Sequence, residues 1–319
     1  MLVWISDRIL RVSRVLSFNP KFWSTRAKAS YNKDSDIIRL SIPYSTSYYQ
    51  PLPGTYYYIH VLNDSRFWES HPFTVASITS RETVKEVQHI RRHSAPTDEV
   101  AFLLQGEALT EASAVFEGDQ KSPSTLTFLL RPYDSFTARL RDLAALSSPD
   151  AASLRVLVDG PYGHSQRFDR FDHVLFIVGG SGIVVPLSHI EALSKPLTRP
   201  SSVRIIWAVR EAEFASEVVR EDFGDVLDHG KVSLDIHITK REGMQHSDIV
   251  DRPQGVRLLP HRPDVCAEIE VAARTTGGGS LAVVACGPAR MADDARRTVV
   301  DMLGRSHVNI EYFEESFNW

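Results

Sequence analysis

A glycine-rich turn in the second half of the chain has the composition of an anion-binding site. The segment VLFIVGGSGIVVPLSHI joins a predicted buried strand to a predicted helix through Gly179–Gly182. Backbone N–H groups and the dipole at a helix N-terminus together bind phosphate groups. Gly180 and Gly182 allow a pyrophosphate to approach the backbone closely, and Ser181 can donate a further hydrogen bond. The spacing is not the full G-x-G-x-x-G fingerprint, so a tight turn without a ligand is the alternative.

Two other predicted strands end in residues that suit the same kind of ligand. Val203–Val209 runs into Arg210, and Leu281–Ala285 runs into Cys286-Gly287-Pro288. In open α/β sheets, ligands bind beyond the carboxyl ends of the strands, where all three motifs lie. An arginine there suits a 2′-phosphate, because its planar guanidinium binds phosphate bidentately. The alternatives are a solvated Arg210 beside Glu211 and an inert, buried Cys286.

Two motifs in the first half of the chain combine aromatic and hydroxyl side chains. HPFTVAS at 71–77 places an imidazole, a ring and hydroxyls on one predicted strand, with Phe73 facing away from Thr74. RPYDSFT at 131–137 opens a predicted helix, whose N-terminus can bind a phosphate or simply be capped by Ser135 or Thr137. For HPFTVAS, the simpler interpretation is a structural histidine and a core phenylalanine.

Two shorter motifs mark the domain junction and the C-terminus. DGPYG at 159–163 is predicted to form a turn between the two halves of the chain. The chain ends in ESFNW at 315–319, and disordered termini are seldom so aromatic. These two aromatics are either core residues or a platform for a planar ligand.

The elements that position these motifs indicate two domains. Residues 24–168 contain short runs of β-branched and aromatic residues bounded by turns, which predict an antiparallel β-sandwich or barrel. Residues 169–319 alternate apolar strands with helices, which predicts a doubly wound parallel sheet. The predicted strands are Ile37–Ile42, Thr55–Leu62, Phe73–Ile78, Val100–Leu104, Thr125–Leu130, Leu154–Val158, Val174–Val178, Val203–Val209, Val232–Ile238 and Leu281–Ala285, and the predicted helices are Thr137–Leu146, 183–194, 213–222, 264–274 and 288–303.

Residues 1–23 form a separate segment with a predicted basic amphipathic helix. Its apolar residues share one helical face, and arginines three apart lie on another: Leu2, Ile5, Ile9, Val12, Leu16 and Arg8, Arg11, Arg14. One interpretation is a surface helix packed on the domain. The other is a helix that lies against a membrane surface through residues 1–18.

Composition excludes several classes of protein. The 319 residues include 36 Lys+Arg against 40 Asp+Glu, so no bulk positive charge indicates a nucleic-acid partner. Two cysteines cannot form a disulfide framework and favour a reducing compartment. The longest apolar stretch, Val174–Leu187, is shorter than the ~20 residues of a membrane-spanning helix. The acidic and histidine residues near 169–173 and 261–266 lack a recognisable ligand spacing, so we expect no metal site.

Taken in series, the motifs HPFTVAS, SFTARL, VDGPYG, VGGSGI, WAVR, ACGP and ESFNW resemble one family over nearly the whole chain. It is the fungal ferric-chelate reductases, relatives of the NADPH oxidases within the ferredoxin–NADP⁺ reductase superfamily. The N-terminal SDRILRVSR is similar to the arginine-rich segment that follows the last transmembrane helix in those proteins. The resemblance implies an antiparallel flavin-binding β-barrel followed by a doubly wound NADPH-binding domain. Full-length members also carry a transmembrane bundle with haem-ligating histidines, so we expect this chain to correspond to their dehydrogenase half or to be a soluble reductase.

The resemblance also implies roles for individual residues. This family usually has Gly before the Phe-Thr pair, where this chain has Ser135. The implied FAD contacts are His71, Pro72, Phe73, Thr74, Phe136 and Thr137, with Gly160, Pro161, Tyr162 and Gly163 as the family's GPYG element. The implied NADPH contacts are Gly180, Ser181, Gly182 and Ile183 at the pyrophosphate, Arg210 at the 2′-phosphate, and Cys286, Gly287 and Pro288 at the nicotinamide; Phe317 would cover the flavin, with Glu315 and Trp319 nearby.

The chemistry implied by the resemblance is hydride transfer from NADPH to FAD, followed by single-electron transfer to an acceptor. NADPH would displace the Phe317 ring, and Cys286 and Glu315 would position the nicotinamide rather than act as nucleophile or base. The acceptor would be a haem in a full-length protein, or a diffusible species such as a ferric chelate. Such a chain would lie on the cytosolic face of a membrane, or in the cytoplasm if it is soluble. A soluble NAD(P)H-flavin reductase (diaphorase) and a non-catalytic partner module with the same fold are the alternatives.

Overall fold

Two sheets of different type, preceded by a helix, make up the described part of the chain. The computed structural model describes residues 2–18, 25–44, 50–79, 124–133, 135–147, 149–240, 255–304 and 309–315. Within these ranges an antiparallel sheet of seven strands precedes a parallel sheet of six strands. The predicted fold class, an antiparallel β-barrel domain followed by a doubly wound parallel-sheet domain, is confirmed.

The antiparallel sheet has the strand order β4-β3-β7-β1-β2-β6-β5. Alternate side chains of its strands are buried, as in β3, because one face covers the domain core. Its elements are β1 (Arg26–Asn32), β2 (Ile37–Pro43), β3 (Tyr56–Val61), β4 (Ser70–Thr74), β5 (Ser77–Thr79), β6 (Thr125–Leu130), helix α2 (Ser135–Ala145) and β7 (Ala152–Tyr162), after an N-terminal helix α1 (Leu2–Phe18). Strand β1 was not predicted, and the predicted strand Val100–Leu104 lies outside the described residues.

The predicted single strand Phe73–Ile78 is wrong, because the chain changes partner in its middle. Strand β4 pairs with β3 and strand β5 pairs with β6, so the two lie at opposite ends of the strand order. At the corner, the Val75 N–H donates to Thr55 O and the Ala76 N–H donates to Thr127 O. This two-residue corner brings the two ends of the sheet together and curls it into a barrel.

The parallel sheet has the strand order β11-β10-β9-β8-β12-β13. Its central strands are apolar throughout because helices cover both faces. Its elements are β8 (His173–Gly179), α3 (Val184–Ser194), β9 (Ser202–Val209), α4 (Ala212–Val218, continued by the π-helical turn Val219–Phe223), β10 (Val232–Ile238), β11 (Val256–Leu259), α5 (Val265–Thr275), β12 (Ser280–Cys286), α6 (Ala289–Leu303) and β13 (Asn309–Glu314). The short edge strands β11 and β13 were not predicted.

The interface between the two domains combines an apolar cluster with directional polar contacts. Ile37 and Leu129 of the first domain pack in one buried cluster with Ile183 of the second. Around this cluster, Arg39 binds Asp222 through two hydrogen bonds of 2.5 and 2.9 Å. Such contacts fix how the first domain is oriented against the turn that follows β8.

Helix α1 packs on the first domain through its less apolar side. Its Arg14 guanidinium lies 4.9 Å from the centroid of the Tyr162 ring at the end of β7. Ile9 and Val12, on the apolar face, are 63% and 58% exposed. The predicted helix is present, but the apolar stripe faces outward instead of covering the domain. No helix within the described ranges is long and apolar enough to cross a bilayer.

Candidate functional site

Two motifs of the second domain meet at the point where the strand order of the parallel sheet reverses, and the third ends the neighbouring strand β9. Strands β9, β10 and β11 follow β8 on one side, whereas β12 and β13 lie on its other side. Such a switch point leaves a crevice beyond the carboxyl ends of the two central strands, and ligands bind there. The turn Gly180–Ile183 follows β8, and Cys286-Gly287-Pro288 ends β12.

The turn after β8 touches the end of β12 because glycines leave room for it. A Cβ atom added to Gly182 would lie 2.5 Å from the carbonyl oxygen of Cys286. A Cβ on Gly179 would lie 2.8 Å from Cδ of Pro288, and one on Gly287 would lie 3.0 Å from the Gly179 nitrogen. A methyl group at Gly182 would require the Cys286 backbone to shift, and Gly179 and Gly287 leave little room for one, so the two segments form one continuous floor of the crevice.

The outer side of the same turn is open. Gly180 adopts φ +54°, and a Cβ built on it meets nothing within 4 Å among the described residues. The indole N–H of the buried Trp207 donates to the Gly180 carbonyl over 2.9 Å and fixes the turn from below. No acidic residue stands in the first turn of α3. A backbone cradle with free space and no opposing charge fits a bound pyrophosphate.

Arg210 and a second cation, Lys240, stand at neighbouring strand ends. Arg210 follows β9 with its side chain 78% exposed, and its Nε lies 3.9 Å from Oε1 of Glu211. The Lys240 N–H donates to the Arg210 carbonyl over 3.3 Å, and Lys240 is exposed. The sequence analysis missed Lys240, although the carboxyl ends of β9 and β10 must share one edge of a parallel sheet. Two exposed cations here suit a phosphate on the ribose of a nucleotide.

Cys286 is a buried, protonated thiol. Its side chain is fully buried, and burial, helped by the negative charge of Glu315, raises the pKa of the thiol to about 12. Glu315 lies beside it because the Glu315 N–H donates to the Ala285 carbonyl over 2.9 Å, and burial raises the pKa of that carboxyl as well. A thiol that keeps its proton is a poor nucleophile. Phe317 and Trp319 lie outside the described residues, and their roles stay predictions.

In the first domain, two residues of HPFT stack on the first turn of helix α2. The rings of His71 and Phe73 lie 4.6 and 6.1 Å from the Phe136 ring, measured between centroids, and both pairs are nearly parallel. Thr74 is buried, whereas His71, Pro72 and Phe73 are half-buried. Because the Phe136 ring is only 1% exposed, Phe136 can meet a ligand only through its backbone. The motif is thus packed against the helix start that was predicted to bind phosphate.

The start of α2 is the second candidate position for binding an anion. The helix begins at Ser135, two residues before the predicted Thr137, and its first turn contains no acidic residue. The Thr137 hydroxyl oxygen accepts a hydrogen bond of 2.8 Å from the Tyr133 N–H, which closes the preceding turn. The first N–H groups of a helix have no intrahelical partner, so this end fits a bound pyrophosphate in the same way as the turn after β8.

The GPYG element is the end of a strand rather than the predicted turn. Gly160, Pro161 and Tyr162 belong to β7, and Gly163 ends the strand with φ +83°. A Cβ on Gly160 would lie 2.5 Å from the Tyr57 ring, so only glycine fits there. The Tyr162 ring stacks on Tyr56 at 5.7 Å, and its hydroxyl donates to Asp159 over 2.8 Å.

The structure therefore gathers the predicted residues into two groups. His71, Phe73 and Phe136 meet in the first domain, whereas the turn after β8 meets the end of β12 in the second domain, with Glu315 beside β12. Ile183 is fully buried in the interface between the domains, so its side chain cannot meet a ligand. Only its backbone could do so.

Two family models together match most of the chain. Residues 22–166 match an FAD-binding domain, and residues 171–300 match a ferric reductase NAD binding domain. The chain is 26% identical over 335 residues to ferric reductase transmembrane component 6 of Saccharomyces cerevisiae. It is 23% identical over 346 residues to ferric/cupric reductase transmembrane component 1 of Candida albicans. The matches cover 99–100% of this chain but only 41% and 39% of these relatives, so the chain spans about two fifths of their length.

Solved structures share the two-domain fold at low sequence identity. A ferredoxin NADP⁺ reductase from Neisseria gonorrhoeae with bound FAD and NADP superimposes with a TM-score of 0.52 at 16% identity, over 91% of this chain and 98% of that chain. The CS-b5R domains of human Ncb5or in the NAD⁺ form give a TM-score of 0.51 at 14% identity, over 90% of this chain and 68% of that chain. At these identities the likeness concerns the fold alone.

Gly182→Ala should weaken dinucleotide binding and lower stability together. Its new methyl group must displace the Cys286 carbonyl, so we expect a loss of about 1–3 kcal/mol in the free energy of unfolding. The same shift should weaken nucleotide affinity by about tenfold or more. Urea unfolding and calorimetric titration with a nicotinamide dinucleotide measure the two effects. The matched control is Gly304→Ala, where φ is −77° and the new Cβ lies 3.7 Å from its nearest neighbour; equal losses in both variants would refute the steric argument.

Thiol titration should distinguish the two cysteines. Cys266 is exposed and Cys286 is buried with a raised pKa, so a disulfide reagent should modify one thiol between pH 7 and 9 in the native protein. In guanidinium chloride it should modify both. In its native state, a Cys266→Ser variant should not react rapidly with the disulfide reagent. A rapid reaction of that variant would mean that Cys286 is accessible.

Proposed function

We propose that the chain passes electrons from NADPH through FAD to a one-electron acceptor. The chain belongs to the ferric reductase family, and it has an FAD-binding domain followed by a ferric reductase NAD-binding domain. FAD, when bound, accepts a hydride and can release its electrons singly. The observation that carries the proposal is the open glycine turn at the sheet's switch point, which touches Cys286 and has the exposed Arg210 on the neighbouring strand.

The residues of the second domain bind and orient the nucleotide. The backbone N–H groups of Gly180 and Ser181 hold the pyrophosphate against the N-terminus of α3. Arg210, with Lys240 beside it, binds the 2′-phosphate that distinguishes NADPH from NADH. The half-buried Glu315 borders the nicotinamide, and Cys286, whose side chain is fully buried, meets it only through its backbone.

The residues of the first domain hold FAD. His71, Pro72, Phe73 and Thr74 line the flavin on β4, with the stacked Phe136 fixing the orientation of His71 and Phe73. The N-terminus of α2 and Thr137 hold the FAD pyrophosphate. Gly160 to Gly163 complete the wall of this site at the end of β7, and Phe317 covers the flavin until the nicotinamide replaces it.

The names of the relatives support a proposal for the electron acceptor. They are ferric and ferric/cupric reductase transmembrane components, and they are more than twice as long as the matched segment. We therefore propose that the electrons pass to a haem in a membrane half of such a protein, and from there to a ferric chelate. The chain itself would lie on the cytosolic face of that membrane.

The outward apolar stripe of α1 supports this location. A helix that carries arginines and presents Ile5, Ile9, Val12 and Leu16 to solvent fits the interface of an anionic bilayer. Ile9→Ser with Val12→Ser should therefore reduce binding to phosphatidylserine-containing vesicles by more than about tenfold, since each buried side chain contributes about 1.5–3 kcal/mol. Leu303→Ser, at a 55% exposed position on α6, is the matched control in a vesicle sedimentation assay. If the wild-type chain does not bind vesicles, α1 is not a membrane contact.

The proposed half-reaction can be tested without knowing the acceptor. The chain is reconstituted with FAD under anaerobic conditions, and its flavin absorbance is followed after addition of NADPH and then of NADH. Rapid bleaching by NADPH is expected. Bleaching by both nucleotides at equal rates would favour an unselective soluble flavin reductase, and failure to retain flavin would favour a non-catalytic module.

Replacement of Arg210 tests the nucleotide preference. Arg210→Ala removes the charge-assisted hydrogen bonds to the 2′-phosphate, so the KM for NADPH should rise by about 10- to 100-fold while that for NADH changes little. Arg220→Ala removes an arginine that is 67% exposed and also lies beside a glutamate, and it serves as the matched control. Equal losses for NADPH and NADH would remove Arg210 from the 2′-phosphate site.

A further inference from the structure

Arg131, at the end of β6 in the first domain, reaches across to the nucleotide site of the second. Its Nη1 donates to Oε2 of Glu211 over 3.1 Å. Its guanidinium carbon lies 5.1 Å from the centroid of the Phe214 ring, and its Nη2 lies 3.9 Å from Asp36. The Arg131 guanidinium thus contacts residues of both domains, with its side chain 29% exposed.

Glu211 lies between two arginines that compete for its carboxylate. It directly follows Arg210, and its Oε1 stays 3.9 Å from the Arg210 Nε while its Oε2 binds Arg131. Glu211 is also the N-cap residue of α4, yet its side chain makes no capping hydrogen bond within the described part of that helix. The carboxylate therefore hydrogen-bonds to Arg131, whereas its contact with Arg210 is a longer ion pair of 3.9 Å.

The position of that carboxylate matters for the nucleotide. An acidic residue at the end of the second strand of a dinucleotide-binding sheet accepts hydrogen bonds from the ribose 2′-OH, whereas an arginine there accommodates a 2′-phosphate. This chain has both residues side by side. A carboxylate free to turn toward Arg210 would neutralise it and repel a phosphate, and it would favour the unphosphorylated ribose.

We propose that Arg131 determines the nucleotide preference by taking the hydrogen bond of the Glu211 carboxylate, so that the Arg210 guanidinium keeps its hydrogen-bond donors for a 2′-phosphate. This inference rests on the proposed preference for NADPH. Arg131 is a positioning residue that acts through Glu211. Because Arg131 and Ser181 line the same narrow cleft, direct contact between Arg131 and the bound nucleotide is the competing account.

The test uses nucleotide fragments, so that it depends on neither bound flavin nor turnover. Adenosine 2′,5′-bisphosphate and 5′-AMP are titrated calorimetrically into the full chain, and the ratio of their affinities is compared between variants. Arg131→Gln should lower the preference for the bisphosphate by about five- to tenfold, the effect of one nearby charge at the protein surface. Its affinity for 5′-AMP should not fall.

A double-mutant cycle separates positioning from direct contact. In a Glu211→Gln background the carboxylate is absent, so the further change Arg131→Gln should alter the ratio by less than about twofold. An undiminished effect of Arg131→Gln in that background would overturn the proposal in favour of direct contact. The single variant Glu211→Gln should keep or increase the preference for the bisphosphate, and a decrease would also overturn the proposal.

Arg39→Gln controls for the orientation of the domains. Arg39 crosses the same interface to Asp222 with two hydrogen bonds, but it does not touch Glu211. If Arg39→Gln lowers the ratio as much as Arg131→Gln does, the effect reflects domain docking and the proposal fails. A wild-type chain that binds both fragments equally would instead overturn the NADPH preference itself, which distinguishes failure of the proposed function from failure of the role of Arg131.

Discussion

The nucleotide site depends on contact between the turn after β8 and the end of β12. That contact exists because Gly179, Gly182 and Gly287 carry no side chain where the two segments meet. It places the Gly180 turn, the buried Cys286 and, through the hydrogen bond from Glu315 to Ala285, the end of β13 around one crevice. A single methyl group at the contact would force the crevice apart, so the parallel sheet and its helices serve to hold these backbones together.

The flavin-binding side follows a different principle, in which aromatic stacking replaces close backbone approach. His71 and Phe73 are oriented by Phe136, whose ring fills the core beneath the start of α2. One side chain thus links the β4 motif to the helix end that we propose holds the FAD pyrophosphate. The barrel corner at Val75–Ala76 follows this motif immediately, so the closure of the barrel and the geometry of HPFT depend on the same few residues.

Some turns and strands of this protein could be predicted from local sequence patterns. The remaining features depend on which distant segments pair, and no local pattern shows that. The Gly179–Gly182 turn could be predicted because glycine is favoured in tight turns and where a backbone approaches a ligand closely. The corner at Val75–Ala76 could not, since both residues suit a continuous strand and only the change of partner from β3 to β6 bends the chain. Arg131 and Glu211 are 80 residues apart, so no local pattern indicates that they meet. The roles of individual residues at the two cofactor sites still rest on the family resemblance.

The polar contacts across the domain interface have a consequence for how such proteins can recombine. Each pair joins one residue of the first domain to one residue of the second: Arg39 with Asp222, Arg131 with Glu211, and Gly54 with Ser188. A chimaera that joined this first domain to the second domain of a distant relative would inherit one half of each pair. Its arginines would face side chains that evolved beside other partners, and the domains would lose the contacts that align them. The two domains match separate family models, but in this chain their orientation depends on residues from both.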